Sequence, residues 1–284
     1  MLTFEQFMAE EFGELSEKLI TFAKKAYPKF GNIVIMAGGA GSGKGFVKDK
    51  LVGLEGFTFD VDALKTLAAK TPAIVKKVKD ELGVDLVDLA GNLKTSENVG
   101  KLHGIIGDYL NLDDKRTQAL YASILTAAPD RKPNIIFDVT LKDLQKLEKI
   151  TRQVKGLGYD PTLVHIVWVV NDIEVAKVQN VNRDRVVPAE ILVNTHRGAA
   201  QTMLDIVNMG NSLKKYMDGD IVFAFNKVGV DADLQKSGRG GAYIKTANYF
   251  YIKRSGMPVM ALDDINADLR RKIASYVPNN ANWI

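Results

Sequence analysis

The sequence predicts an α/β protein of three layers: a parallel sheet, helices on both faces, a helical extension in front and a basic extension behind. Two observations carry this. Short apolar runs rich in β-branched residues, at 32–37, 134–138, 162–170 and 221–225, alternate with stretches of helical periodicity. Such alternation implies parallel strands joined by right-handed crossovers. The first run also ends in a glycine-rich turn that leads straight into a helical pattern, as a strand–loop–helix unit requires.

The elements follow in order. Phe4, Phe7, Met8, Phe12, Leu15, Leu19 and Phe22 recur at helical spacing and predict an amphipathic helix near 4–26, ended by Pro28 and Gly31. Residues 32–37 read as a buried strand, followed by the glycine loop and a helix through Phe46, Val47 and Leu51. A second strand is expected at 56–60. Residues 62–130 read as mostly helical, with Gly83, Gly91, Gly100 and Gly104 as breaks. Pro133 introduces the strand at 134–138. Leu141, Leu144, Leu147, Ile150 and Val154 form the stripe of the next helix. A central strand at 162–170 precedes helices at 172–184 and 189–216, and the last strand of the unit is 221–225. A closing helix is expected near 262–276. The domain boundaries that result are an N-terminal helix at 1–30, a central unit at 31–230 and a C-terminal extension at 231–284.

Composition narrows the class. Of 284 residues, 46% are hydrophobic and 25% charged, an ordinary globular mixture that excludes a fibre or a disordered tail. The longest apolar stretch, Leu163 to Val170, is interrupted by His165 and too short to cross a bilayer, so no membrane partner is expected. Met1 to Glu17 holds five Glu and no base, the opposite of a targeting segment. The absence of cysteine excludes disulfides and thiolate chemistry, and a cytoplasmic location is expected. Net charge is only +4, but two stretches lack acids altogether. Ala63–Lys79 carries five Lys, and Leu234–Leu262 carries three Lys and two Arg. Such patches suit a phosphate-rich partner or a solvated face.

The chemistry concentrates in a few motifs. Gly38-Gly39-Ala40-Gly41-Ser42-Gly43-Lys44, followed by Gly45 and Phe46, fits G-x-x-x-x-G-K between a strand and a helix, the phosphate-binding P-loop pattern. Glycines let successive backbone N–H groups turn toward phosphate oxygens, and Lys44 reaches the outer phosphates. The hydroxyl residue that usually follows the lysine and ligates Mg²⁺ is replaced by Gly45, so the metal must rely on water and on carboxylates elsewhere. Asp62 and Lys65 stand one turn apart after the second strand. Asp62 reads either as a helix cap or as the base for an attacking hydroxyl, with Lys65 holding substrate charge. Asp138 ends an apolar strand, where it can hold Mg²⁺ through water, and Thr140 can touch substrate. Arg183 and Arg185, near a helix break before Pro188, suit a lid over the transferred phosphoryl group, and sequence does not separate the two. In the tail, Lys236 and Arg239 read as phosphate contacts, whereas Tyr249 and Tyr251 read as an edge strand or as stacking platforms. His103 and His165 read as packing residues, and His196 is left open. Asn226-Lys227 lacks an Asp at the guanine-reading spacing, which argues against a GTPase.

Together, the loop, Asp62-x-x-Lys65, the strand ending in Asp138-Val-Thr140 and Arg183/Arg185 resemble the P-loop kinases that include zeta toxins and polynucleotide 5′-hydroxyl kinases. The resemblance covers about residues 32–215. It implies a P-loop NTPase-type sheet, ATP and Mg²⁺ as cofactors, Asp62 as base, Lys65 on substrate and the lid arginines on the transferred phosphate. Residues 26–46 are similar to the bacteriophage 5-hydroxymethyluracil DNA kinases. That likeness implies transfer of the γ-phosphate to a hydroxymethyl group on a DNA base, in the cytoplasm of an infected host. A zeta-toxin-like kinase of a small metabolite or sugar nucleotide is the alternative, and a nucleotide-dependent binding protein without phosphoryl transfer is the third. Oligomeric state is not readable.

Overall fold

A computed structural model describes residues 20–25, 28–181, 186–225, 234–236, 242–244, 249–278 and 281–284. Its centre is a six-stranded sheet. The strands are β1 (Ile33–Ala37), β2 (Phe57–Phe59), β3 (Ile135–Asp138), β4 (Val164–Val170), β5 (Ile221–Phe225) and β8 (Tyr249–Lys253), in the order β2-β3-β1-β4-β5-β8. The first five run parallel. β8 pairs antiparallel with β5, so the sheet is mixed rather than purely parallel. The strands β6 (Leu234–Lys236) and β7 (Ala242–Ile244) form a separate antiparallel pair.

The strands are apolar because both faces are covered. β1, β4 and β5 are buried at every position. The helices of the first half are α1 (Lys44–Val47), continued by a wider turn at Lys48–Val52, then α2 (Val61–Lys70), α3 (Pro72–Leu82), α4 (Leu86–Gly91), α5 (Ser96–Gly104) and α6 (Leu112–Leu125). Those of the second half are α7 (Leu144–Gly156), α8 (Ile173–Val181), α9 (Ala189–Asn208) and α10 (Ala267–Tyr276). α7 places Leu147, Ile150 and Val154 in the main core, each at most 1% exposed, where full burial of such a side chain stabilises by roughly 1.5–3 kcal/mol. α9 adds Met203, Ile206 and Val207 to the same core. The other face packs Val34, Met36 and Val167 against Val47, Leu51 and Val52, with Ile20 and Phe22. Residues from Leu64 to Leu110 gather a small core of their own around Val78, Leu86 and Leu102. The helical segment is therefore a packing unit beside the sheet.

Several expectations are corrected. The predicted N-terminal helix lies mostly outside the described residues. Within them it does not reach residue 26, because Phe22 and Lys25 form an isolated bridge with Ala23 and Lys24 at positive φ. Gly83 does end α3 in the left-handed conformation, but Gly100 and Gly104 lie inside α5. No atom other than the helix's own lies within 4 Å of a Cβ placed at Gly100, so that glycine is a tolerated helix residue rather than a stop. His103 is exposed rather than packed, whereas His165 is buried as expected. Among the described residues, no helix is long and apolar enough to cross a membrane.

The amino ends of the parallel strands carry a polar belt. Asn32 precedes β1, Asn134 precedes β3, His165 lies in β4 and Asp220 precedes β5, and all four are buried. Asn134 Oδ1 accepts from Asn32 N, and its Nδ2 donates to the carbonyls of Pro28 and Glu55. His165 Nδ1 accepts from Asp220 N at 2.9 Å, and Nε2 lies 3.2 Å from Asn32 Oδ1. Asp220 also accepts from Ala23 N and Ser255 N. One end of the sheet is thereby closed by hydrogen bonds, and the carboxyl ends of the strands are left for ligands.

Candidate active site

The strand order reverses at β1, whose neighbours are β3 and β4, and the glycine loop follows β1 at that point. A switch point of this kind opens a crevice above the strand ends. Three separate segments hold the loop there. Gly38 N donates to Thr140 O, and Ala40 N donates to Thr195 Oγ1 at 3.1 Å. His196 Nε2 lies 2.9 Å from Ala40 O, and Asn171 Nδ2 donates to Gly41 O. Only glycine fits at position 39, because a Cβ there would overlap the His196 ring. Gly43 caps α1 with φ of 88°, a left-handed conformation that disfavours other residues. Lys44 Nζ folds back onto the loop, donating to Gly38 O and Gly39 O.

Lys44 Nζ also stands 3.8 Å from Asp138 Oδ1, where β3 ends. Burial pushes the Asp138 carboxyl upward. The Lys44 charge opposes this, and the negative charges of Asp60 and Asp62 reinforce it. Asp138 thus sits buried among mixed charges, Lys44 and Lys48 on one side of the balance and Asp60 and Asp62 on the other. Among the described residues no three acids or histidines form a ready-made metal cage. Mg²⁺ keeps most of its waters and takes one or two protein carboxylates beside phosphate oxygens. Asp138 fits that role, while Gly45 supplies no hydroxyl and Ser42 is wholly buried.

β2 delivers the acidic pair. Asp60 is the cap of α2, its side chain accepting from Asp62 N at 2.8 Å. That assignment removes the cap reading of Asp62. The Asp62 carboxylate instead lies 3.3 Å from Lys65 Nζ, with the lysine buried beneath it. Arg116 from α6 braces the same strand end: it lies over the Phe59 ring at 5.3 Å and reaches Asp60 O and Asp113 Oδ1.

The structure therefore brings together Lys44, Asp62, Lys65, Asp138 and Thr140 around the loop 38–46. Arg183, Arg185 and Arg239 lie outside the described residues, and Lys236 is described only as part of β6. The ends of the arginine segment are tied together. Asn180 Nδ2 donates to Val187 O and Asn180 Oδ1 accepts from Val187 N, so one buried side chain bridges α8 to the chain entering α9. Tyr249 and Tyr251 belong to the edge strand β8, and the Tyr251 hydroxyl contacts Thr21, which supports their structural reading. Asn171, Thr195 and Arg116 escaped the sequence reading, and His196, left open there, is placed at the loop. Only Asn171, a polar residue directly after the apolar run of β4, left a local signal.

Residues 108–220 match the zeta toxin family. This stretch holds Asp138, Thr140, Asn171 and the Thr195–His196 clamp, and it excludes the glycine loop and Asp62. No curated protein sequence matches the chain. Among solved structures, AvrRxo1-ORF1:AvrRxo1-ORF2 with sulphate ions is 14% identical with a TM-score of 0.49, covering 86% of this chain and 63% of that chain. AvrRxo1-ORF1:-ORF2 with ATP is 11% identical with a TM-score of 0.49, covering 90% of this chain and 75% of that one. The PezAT toxin–antitoxin system of Streptococcus pneumoniae is 14% identical with a TM-score of 0.39, covering 77% and 74%. The chain spans just under two thirds of the first of these, and likenesses this distant assign no residue. The glycine loop with its lysine and the acid facing it form a phosphate-binding arrangement, and residues 108–220 carry the likeness to the zeta toxin family.

Proposed function

We propose that the protein transfers the γ-phosphate of ATP to the hydroxymethyl group of 5-hydroxymethyluracil in DNA, a step in thymidine hypermodification of phage DNA within the host cytoplasm. The observation that carries the kinase reading is Asp62: half exposed at the mouth of the site, held by buried Lys65 and facing the Lys44–Asp138 pair. In this reading Asp62 accepts the proton of the acceptor hydroxyl. The alkoxide oxygen forms a bond to the γ-phosphorus as the bond to the β–γ bridging oxygen breaks, and ADP leaves. The proton then passes from Asp62 to water. Lys44 leaves the loop carbonyls for the phosphates, Thr140 borders the acceptor, and Arg183 and Arg185 meet the transferred group. Mg²⁺ held through Asp138 would neutralise phosphate charge as it shifts to the leaving group.

DNA as the acceptor is supported by charge. Lys70, Lys76, Lys77 and Lys79 are exposed on α2 and α3, on the same helical unit as Asp62, and no acid interrupts them. Lys236 and Arg239 would add contacts from the tail. A base carrying its own hydroxyl has to leave the stack or be reached in the groove, which an open site permits.

The zeta toxin match favours a second reading, a kinase of a small metabolite or sugar nucleotide. Labelled γ-phosphate separates the two. Label entering duplex DNA with 5-hydroxymethyluracil, absent from thymine DNA and lost in Asp62→Asn, supports the DNA reading. Label entering a uridine-diphosphate sugar and neither DNA supports the second.

A further inference from the structure

Behind the glycine loop lies an open groove of about 490 Å³ that the reaction above does not use. One wall is α9, through Asn194, Arg197 and Gln201. The other is Lys142, after β3, together with Asn282 and Trp283 from the last turn of the described chain. The groove adjoins the reaction site on both sides. Lys142 follows Thr140, whose carbonyl receives Gly38 N, and Asn194 and Arg197 flank Thr195 and His196, which hold Ala40.

Its chemistry is one-sided. Two cations and three amides line it, and no acid does. Among the described residues, Arg197 makes a single hydrogen bond, to Asn194 Oδ1 at 3.3 Å. Lys142 has no hydrogen-bond or ion-pair partner among the described residues. Trp283 is 2% exposed, and its indole Nε1 is buried with no acceptor among the described residues. A buried donor without a partner costs about 1–3 kcal/mol, so an acceptor oxygen arriving there would be stabilised. Gly198 lets the walls close, since a Cβ on it would meet the Lys142 backbone.

We propose that this groove is a phosphate-recognition subsite for the acceptor, with Lys142 and Arg197 as its charges and the amides and indole as neutral donors. The inference rests on the kinase reading for its role but not for its detection. The phosphate could belong to the strand bearing the target base or to a small nucleotide, and binding separates these.

The test uses the full chain with the glycine loop filled by a non-hydrolysable ATP analogue and Mg²⁺. Single-stranded oligothymidylate and thymidine monophosphate are titrated separately, read by tryptophan fluorescence: Trp283 lines the groove and stacks on Trp168, the other of the chain's two tryptophans. Lys142→Gln/Arg197→Gln should weaken the oligonucleotide at least tenfold. It should also flatten the salt dependence by about 1.4 in log–log slope, 0.7 for each charge removed on a single strand. Lys149→Gln/Lys155→Gln, two exposed lysines of α7 outside the groove, is the charge-matched control and should change neither. A double variant indistinguishable from this control overturns the proposal. So does a loss of ATP-analogue affinity with oligonucleotide affinity intact, because the groove would then serve the donor. Monophosphate bound and weakened by the variant, with oligonucleotide unbound, upholds the subsite and assigns its phosphate to a small nucleotide. Binding that depends on both residues, without phosphate transfer to any acceptor, upholds the groove and overturns the kinase reading alone.

Discussion

On α2, Lys65 Nζ lies 3.3 Å from Asp62 Oδ1, and the two side chains differ sharply in exposure: 7% for the lysine and 56% for the carboxylate. The lysine is a buried anchor and the carboxylate an accessible group aimed by it. Asp62→Asn keeps the size and removes the basicity. It should lower kcat by about 10²- to 10⁴-fold, the usual weight of a positioned base, with ATP affinity unchanged. Lys65→Met should keep the buried volume and lose the anchor, lowering kcat by about tenfold while leaving thermal stability equal or raised, since a buried ammonium is costly to desolvate. Stopped-flow rates and nucleotide binding by calorimetry check both. An unaffected kcat in Asp62→Asn would remove it from the reaction.

Gly39 and His196 make a second linked pair. The ring occupies the space a side chain at 39 would need. Gly39→Ala should destabilise by about 1–3 kcal/mol through overpacking, and ATP affinity should fall with it. His196→Ala vacates that space but loses the bond to Ala40 O. The double variant Gly39→Ala/His196→Ala should therefore be more stable than the sum of the single changes predicts, by at least ~0.5 kcal/mol. Urea unfolding of the four proteins closes the cycle, and strict additivity would mean that the ring does not set the loop.

These two pairs also divide what the sequence discloses from what it does not. Asp62 and Lys65 are three residues apart on a helix, and Gly38 to Lys44 is one continuous loop, so their geometry is written in local spacing. His196 and Ala40 meet across 156 residues, and Asn171 and Gly41 across 130. Nothing near either partner announces the contact. β8 illustrates the same limit: its alternating tyrosines signal a strand, but antiparallel pairing with β5 depends on how the chain returns. His103 and Gly100 fail for the opposite reason. Each carries a local signal, for packing or for a break, that an exposed helix does not have to obey.

Asp138 sits between Lys44 and the acids Asp60 and Asp62, with burial raising its pKa above the ordinary carboxylate value. A cation there would reverse that balance. Asp138→Asn should raise the Mg²⁺ concentration for half-maximal rate by about 10- to 100-fold, the range for partners that hold a metal through water. Nucleotide binding without metal should hold or tighten, because a negative charge near the phosphates is removed. Lowering the pH should mimic the variant in the wild type, and should do so at a higher pH than an ordinary carboxylate would need. Rates measured against Mg²⁺ at two pH values test this, and equal Mg²⁺ dependence in both proteins would place the metal elsewhere.

The polar belt sets an acid limit on stability. Burial lowers the pKa of His165 below its ordinary 6.5, outweighing the opposite pull of Asp220. Burial likewise lowers His196, with Lys44 adding to the effect. Both rings therefore stay neutral in the fold and take up protons more readily in the unfolded chain. Their contribution is complete above the unfolded value near 6.5 and is lost progressively as pH falls below it, by up to about 1.4 kcal/mol per pH unit for each ring. For Asp220, burial pushes upward, but the adjoining His165 ring and hydrogen bonds from Ala23 N and Ser255 N overcome it and leave the pKa lowered. Its contribution is complete above about 3.8 and is lost as pH drops through the lower folded value. The two windows are separable. Urea midpoints should be level from pH 8 to 7, decline between about 6.5 and 5 through the histidines, and fall again below 4 as the carboxylate protonates. His165→Asn should start less stable at pH 8 yet lose less between pH 6.5 and 5, because one proton-binding difference is gone. A variant with the wild-type slope in that window would show that His165 is not held neutral by the fold.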